Sequence, residues 1–262
     1  MSAFQPFAIE RLMSRWEHEV DYNLSESGVH PVPLRDLLPD SCALQDFLAT
    51  ELGYPQTNGT PALRGNISRL YPGAGPENVL TTVGAVEANG IALDSLFQPG
   101  DEVAVMLPNY LQIWGMALNA SMRVNAFHLR ETGGNWMLDL DELDAAVTSQ
   151  TKMIAITNPN NPTGHILRER EIDALVAAAD RVGAWILTDE VYAGAERMAE
   201  DETPSLWGRY DKILAIGSLS KAYGLPGLRL GWIVAPATAI AEIWPRHDYA
   251  TIAAGKLAIY LA

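Results

Sequence analysis

The feature that most constrains the fold is a series of short apolar runs alternating with longer amphipathic stretches between Val79 and Val234. The apolar runs cover residues 79–83, 102–107, 123–129, 153–157, 185–188, 213–217 and 231–234. The stretches 85–97, 111–120, 139–147 and 168–182 have the length and apolar spacing of helices. Strands that are apolar throughout and separated by helices are typical of a mostly parallel sheet covered on both faces. The sequence therefore predicts an α/β fold, a three-layer α/β/α sandwich.

The first part of the chain lacks this alternation. Residues 23–33 and 54–63 are rich in Gly, Pro and Asn, which are typical of loops. We therefore expect the chain to be irregular up to about Tyr71.

Composition excludes several classes of function. The chain has 262 residues, with 18 Lys and Arg against 32 Asp and Glu, a net charge of −14. This acidic excess argues against binding to nucleic acid or to an anionic membrane surface. The single cysteine, Cys42, excludes an intrachain disulfide and a cysteine-based zinc site, and no metal site is expected. The N-terminus does not resemble a secretory signal, and no apolar stretch is long enough for a bilayer. We therefore expect a soluble, acidic, cytoplasmic globular protein.

In open α/β sheets, ligands bind beyond the carboxyl ends of the strands. Lys221 follows the run 213–217 directly, in SLSKAYGLPGLRLG. A lone lysine is usually a solvated surface residue, but these small, apolar and glycine-rich neighbours predict a lysine kept out of water, which can form a Schiff base. Ser218 and Arg229 add a hydroxyl and a permanent cation, and the three groups together suggest a phosphorylated aldehyde cofactor.

Two further motifs follow strands. Asp189 stands at the end of the run 185–188, in TDEVY, where it serves either as a helix cap or as the partner of a pyridinium nitrogen. Tyr192, three residues later, can reach the same ligand. Asn161 stands in NPNNPTG, which is either a plain loop or a proline-flanked amide donor, and its Asn-Pro bonds are candidates for the cis form.

The strand-to-helix junction Gly84-Ala85-Val86 can offer free backbone N–H groups to a phosphate, although helix packing alone also favours small residues there. Tyr110 follows the run 102–107 and can stack on a flat ring; the alternative is an ordinary surface or core tyrosine.

Together these motifs resemble the class I/II aminotransferases, which have the fold type I architecture and use pyridoxal 5′-phosphate (PLP). The resemblance runs from about Asn23 to the end of the chain. Its strongest part is 218–231, which is similar to the family signature SxSK…LxxxRxG, followed by NNPTG and DExY. The order of these motifs on successive strand ends is highly specific.

The resemblance implies three catalytic residues. Lys221 would carry PLP as a Schiff base and then move the proton, and Asp189 would pair with the ring nitrogen. Tyr192 would bond the ring's 3′-oxygen together with Asn161, which would also contact the substrate.

The resemblance implies further contacts to the cofactor. Tyr110 would stack on the ring. The phosphate would be held by Ser218, Arg229 and the helix start at Gly84, Ala85 and Val86.

Two residues of the first part complete the resemblance. Tyr54 is similar to the family tyrosine that reaches the phosphate of the neighbouring subunit, which implies a homodimer. Gly28 is similar to the N-terminal loop that closes over the substrate.

The chain departs from the family at its end. We expect an N-terminal arm and substrate loop in 1–50, a PLP-binding large domain in 51–252, and in 253–262 the start of a helix leading to a C-terminal small domain that is largely missing. The arginine that grips the substrate carboxylate in the family would lie in that missing part.

Three functions stay open. The first is transfer of an amino group between an amino acid and a 2-oxo acid. The second is other PLP chemistry, either a lyase or an arginine-tailoring enzyme, because NLSESGVHP is similar to the N-terminal loop of capreomycidine synthase-like enzymes. The third is a non-catalytic PLP-binding regulatory domain.

Overall fold

A computed structural model describes residues 4–197 and 202–262 of the chain. The described strands are β1 (Val79–Thr82), β2 (Glu102–Leu107), β3 (Arg123–Thr132), β4 (Asn135–Leu138), β5 (Thr151–Thr157), β6 (Trp185–Asp189), β7 (Ile213–Ser218) and β8 (Gly231–Val234). The described α-helices are α1 (Ala8–Trp16), α2 (Ser41–Leu48), α3 (Pro61–Ser68), α4 (Gly84–Leu96), α5 (Gln112–Asn119), α6 (Leu140–Ala146), α7 (Glu169–Val182), α8 (Ala237–His247) and α9 (Lys256–Leu261).

These strands form one sheet in the order β1-β8-β7-β6-β5-β2-β3-β4. The five strands from β7 to β3 in that order are parallel, whereas β8 runs antiparallel to both of its neighbours and β4 runs antiparallel to β3. The start of β8 therefore lies at the same edge as the carboxyl ends of the parallel strands. This arrangement brings residues before β8 to the edge where ligands are expected.

The core lies on both faces of the sheet, because successive side chains of a strand point to opposite faces. In β5, Ile154 and Ile156 pack with Leu175 of α7 in one cluster, together with residues of α3 and α6. Met153 and Ala155 pack in the other cluster with residues of α4, α5 and α8. The three-layer α/β/α architecture is confirmed.

The expectation of an irregular first part is wrong, because α1, α2 and α3 lie there. Local signals account for two of them: the side chain of Asp40 accepts the N–H of Ala43 to cap α2, and Thr60 caps α3 in the same way, with Pro61 in its first turn. In α1, Ile9, Leu12, Met13 and Trp16 recur at helical spacing, yet no residue of α1 is buried.

No helix in residues 4–197 or 202–262 has the length and apolarity needed to cross a bilayer.

Candidate active site

A cavity of about 610 Å³ opens where the parallel strands end, between the sheet edge and the N-terminal arm. Nine of the residues singled out in the sequence line it together: Ala85, Val86, Tyr110, Asn161, Asp189, Tyr192, Ser218, Lys221 and Arg229. They come from distant parts of the chain, and the sheet topology is what brings them together.

Lys221 lies in the turn after β7, and its Nζ donates to Oε1 of Glu26 at 3.1 Å. Its side chain is 30% exposed, so the expectation of a lysine kept out of water is wrong. The amine is instead ion-paired at a partly open cavity, because the loop that carries Glu26 lies against it.

The loop from Ser25 to Val32 is fixed to the segment that carries Lys221. The N–H of Val29 donates to the carbonyl of Lys221, and the N–H of Val32 donates to the carbonyl of Gly224 at 2.8 Å. Oε1 of Glu26 also accepts the N–H groups of Ser27 and Gly28. Burial raises the pKa of Glu26, but the bonds from Gly28 and Lys221 outweigh it and leave the pKa below its ordinary value. Glu26 is therefore an anion held over the lysine.

Asp189, the last residue of β6, is 9% exposed. Its Oδ1 accepts the N–H of Val191 at 3.2 Å, and no cationic side chain of the described residues pairs with it. Burial raises the pKa of Asp189 to about 6. A buried carboxylate without a cation is suited to receive a cationic N–H from a ligand.

Glu190 is buried next to Asp189 but faces another part of the molecule. Its Oε1 accepts the hydroxyl of Thr188 and the N–H of Leu206. Burial raises the pKa of Glu190 to about 7. It ties residues near Leu206 to the end of β6.

Tyr192 and Asn161 meet as expected from the sequence: Nδ2 of Asn161 donates to Oη of Tyr192 at 3.1 Å. Oη of Tyr192 also lies 2.6 Å from Oγ of Ser27, which ties the N-terminal loop to the site. The bonds Asn158–Pro159 and Asn161–Pro162 are both cis, as predicted.

The start of α4 and Arg229 form a concave cradle. Gly84 has φ +74°, and a Cβ there would collide with Nη2 of Arg229. A Cβ on Gly231 would collide with the backbone of Gly84 and Ala85. Nη1 of Arg229 is held by Ser220 Oγ and the carbonyl of Pro226, while Nη2 has no hydrogen-bond partner among the described residues. The cradle thus joins a helix N-terminus and a guanidinium, a combination that suits a phosphate.

Tyr110 faces the cavity beneath α1. Its hydroxyl donates to Glu10, and its ring meets Phe7 edge-on with centroids 5.0 Å apart. Burial and the contact with Glu10 raise the pKa of Tyr110.

Three of the expected residues are not among those that line the cavity: Tyr54, Gly28, and Gly84, which packs against Arg229. Tyr54 is 87% exposed. Gly28 lies beside the cavity and contributes its N–H to Glu26.

The sequence reasoning missed the contributions of Glu10, Glu26 and Ser27. Glu26 and Ser27 stand next to Gly28 in the loop already singled out, and that proximity was the available signal. Glu10 had no signal beyond the amphipathic spacing of α1.

The chain was compared with known proteins. The family model described as "Aminotransferase class I and II" matches residues 44–249. Capreomycidine synthase of Streptomyces vinaceus is 34% identical over 244 residues, which are 90% of this chain and 61% of that protein. Arginine–pyruvate transaminase of Pseudomonas aeruginosa is 30% identical over 207 residues, which are 77% of this chain and 52% of that protein. The chain thus spans roughly half to three fifths of these two relatives.

Among solved structures, a PLP-dependent aminotransferase from Streptococcus suis superposes with a TM-score of 0.91. It is 35% identical, and the match covers all of this chain and 71% of that one.

Proposed function

The chain belongs to the class I and II aminotransferases, and from that premise we propose that it transfers an amino group between an amino acid and a 2-oxo acid, with PLP attached at Lys221. The donor would leave as a 2-oxo acid, and the acceptor 2-oxo acid would leave as an amino acid. The observation that carries the proposal is that Lys221, Asp189 and the Arg229 cradle face one cavity.

The residues present fit PLP at three points. Asp189 is a buried carboxylate that lacks a cation among the described residues, and a protonated pyridine nitrogen supplies one. Gly84 and Gly231 let Arg229 and the start of α4 pack so closely that a Cβ on either glycine would collide, which places a guanidinium beside a helix N-terminus as a phosphate requires. Lys221 supplies the amine that an aldehyde requires.

PLP, when bound, supplies the electron sink that acidifies the Cα–H bond of an amino acid. Asp189 would keep a positive charge on the ring nitrogen through a charge-assisted hydrogen bond. Tyr192 and Asn161, which are hydrogen-bonded to each other, would hold the ring oxygen, and Tyr110 would lie against the ring. The backbone N–H groups of Ala85 and Val86 would hold the phosphate, assisted by Ser218 and Arg229.

Lys221 has two tasks in this account. Its Nζ would be the attachment point, and as a free amine the same nitrogen would take up and move the proton of the substrate Cα. Glu26 must release the amine before the first task. The protein therefore mainly orients the scissile bond and holds the charges.

The test incubates the protein with PLP, an amino acid panel and a 2-oxo acid, and follows both products by mass spectrometry. We expect paired formation of a new 2-oxo acid and a new amino acid, and loss of both with Lys221→Ala. Lys152→Ala is the matched control, because Lys152 is an exposed lysine at the start of β5. A wild type that takes up no PLP would overturn the proposal.

A second candidate keeps PLP and changes the substrate to an amino acid with a cationic side chain, as in arginine-tailoring chemistry. Three carboxylates of the N-terminal arm, Glu10, Glu17 and Glu26, line the cavity against one arginine of that arm, Arg11. A cavity wall with excess negative charge favours a guanidinium over a neutral group. The two relatives named for capreomycidine and arginine support the same direction.

This candidate is tested by comparing arginine with citrulline, which has a neutral urea in place of the guanidinium. We expect a higher kcat/KM for arginine and a smaller preference in Glu26→Gln. Formation of ammonia or of a cyclised product in place of a 2-oxo acid would show that the chain catalyses arginine-tailoring chemistry and not transamination. Equal use of the two amino acids would exclude a role for the arm's charge.

We further propose a cytoplasmic homodimer in which Tyr54 reaches the cofactor phosphate of the neighbouring subunit. Tyr54 is 87% exposed, and Leu48 and Leu52 near it are also exposed, which suits a surface awaiting a partner. The domain bounds expected from the sequence, 1–50, 51–252 and 253–262, are part of this proposal.

A further inference from the structure

A polar cluster of two buried side chains and one exposed threonine lies behind the phosphate cradle, outside the cavity. It consists of Glu87 on α4, His247 at the end of α8, and Thr251 in the turn that follows. His247 is fully buried and the side chain of Glu87 is 8% exposed. None of the three lines the cavity, so none touches substrate or cofactor there.

The carboxylate of Glu87 is held from three directions. Oε1 accepts the hydroxyl of Thr251 at 2.6 Å, and Oε2 accepts the N–H of Val83 at 2.5 Å. Nε2 of His247 lies 3.5 Å from Oε2 and 3.3 Å from Oγ1 of Thr251. Because the Thr251 hydroxyl donates to Glu87, a hydrogen on Nε2 of His247 is what both of these contacts require.

The bond to Val83 links the cluster to the cradle. Val83 precedes α4 and has no side chain able to cap it, so Glu87 reaches back from the first turn to take its N–H. That bond fixes the residue before Gly84, which packs against Arg229, and the next two residues, Ala85 and Val86, line the cavity.

Burial raises the pKa of Glu87, and the hydrogen bonds from His247, Thr251 and Val83 more than offset this, so that the pKa lies below its ordinary value. Glu87 is therefore a carboxylate anion held at a helix N-terminus.

The turn that supplies Thr251 is strained. Ile252 has φ +70°, a conformation that β-branched residues rarely adopt, and its N–H donates to the carbonyl of His247 at 3.0 Å. Such a conformation persists only where the surrounding contacts require it. The hydrogen bond from Thr251 to Glu87 is a side-chain contact of this turn, beside its backbone bond to His247.

We propose that Glu87, fixed by His247 and Thr251, is a positioning residue that sets the cradle's affinity for the phosphate group of the cofactor. This inference rests on the proposed PLP chemistry. It assigns to α8 and its following turn a part in cofactor binding, although no residue of either is among those that line the cavity.

The test compares two probes, PLP and pyridoxal, which lacks the phosphate, in titrations of the cofactor-free protein. In Glu87→Ala we expect the affinity for PLP to fall about tenfold or more, as for loss of a hydrogen bond to a charged group, while the affinity for pyridoxal changes less than about twofold. Glu87→Gln keeps one acceptor oxygen for the N–H of Val83 and should therefore recover part of the affinity for PLP that Glu87→Ala loses. Glu242→Ala, an exposed glutamate of α8, is the matched control.

A purely structural role for Glu87 would weaken both probes equally, and that result would overturn the inference, as would an unchanged affinity for PLP. If Glu87→Ala does not fold, Thr251→Val removes the donor to Oε1 at nearly constant side-chain volume. This variant is then judged by the same comparison, the loss of affinity for PLP against the loss of affinity for pyridoxal. A wild type that binds no PLP would instead overturn the proposed function, so the two failures are distinguishable.

Discussion

Nζ of Lys221 lies 3.1 Å from Oε1 of Glu26, although the two residues are 195 positions apart in the chain. This pair closes the N-terminal loop over the amine on which the proposed chemistry depends. The amine reacts only as a free base, so the pair must open before a cofactor attaches.

Removing the charge of Glu26 should therefore speed the capture of PLP. Both side chains are partly exposed, so the pair contributes little, and we expect Glu26→Gln to raise the rate about two- to fivefold. Stopped-flow absorbance on the cofactor-free protein measures this rate. Glu19→Gln, an exposed arm residue outside the cavity, is the control. A slower capture would mean that Glu26 assists the attachment.

A methyl group at Gly84 should disable the phosphate cradle. Its Cβ would both force a side chain into a positive φ and displace the guanidinium of Arg229. We expect Gly84→Ala to weaken PLP binding at least about tenfold. Gly90→Ala lies on the same helix, where the nearest atom to its Cβ is Met116 Cε at 3.8 Å, so it should bind PLP normally. Normal binding by both variants would place the phosphate elsewhere.

The ionisation of Asp189 should destabilise the cofactor-free protein. Burial raises its pKa from 3.8 to about 6, so between those values the folded chain holds a proton that the unfolded chain has released. Stability therefore falls as pH rises through this interval, and a shift of this size corresponds to roughly 3 kcal/mol. Glu190, with a pKa raised to about 7, acts in the same direction.

Asp189→Asn removes this cost. Without cofactor we expect it to exceed the wild type in free energy of unfolding by about 2–3 kcal/mol at about pH 8, and to match it near pH 4. Urea unfolding at the two pH values measures both quantities, with the exposed Asp94→Asn as control. If Asp189→Asn is less stable than the wild type at the higher pH, then contacts within the cofactor-free protein stabilise the charged carboxylate and offset the cost of its burial.

Shared active sites can be tested by mixing two inactive variants. Lys221→Ala lacks the amine, and Tyr54→Ala lacks the proposed phosphate contact to the neighbouring subunit. A mixed dimer has one site with both residues, so random exchange should recover about a quarter of wild-type activity. A mixture no more active than its separate components would contradict sharing through Tyr54.

The sequence predicted the central sheet well because strands buried on both faces are apolar throughout. The runs 102–107 and 231–234 match β2 and β8 to the residue. The short β4 was missed, since only Leu138 of its four residues is buried. Its pattern therefore gave no run of apolar residues.

The candidate site was predicted where its residues stand at the end of a strand or just after it, as Asp189 and Lys221 do. An N-terminal arm was also predicted, but its contacts were not, because α1 has no buried residue and contacts the site through single pairs such as Glu10 with Tyr110. Contacts of that kind, like Glu26 with Lys221, depend on side chains meeting across the folded chain. No local pattern encodes them.

The most direct test of the central claim is to locate the cofactor on the chain. The sequence contains four lysines, Lys152, Lys212, Lys221 and Lys256. The protein is incubated with PLP, reduced with borohydride and digested, and the modified lysine is identified by mass spectrometry. We predict that Lys221 alone is modified. When PLP is omitted, no lysine of the wild type should be modified. Modification spread over the four lysines, or none at Lys221, would contradict the account.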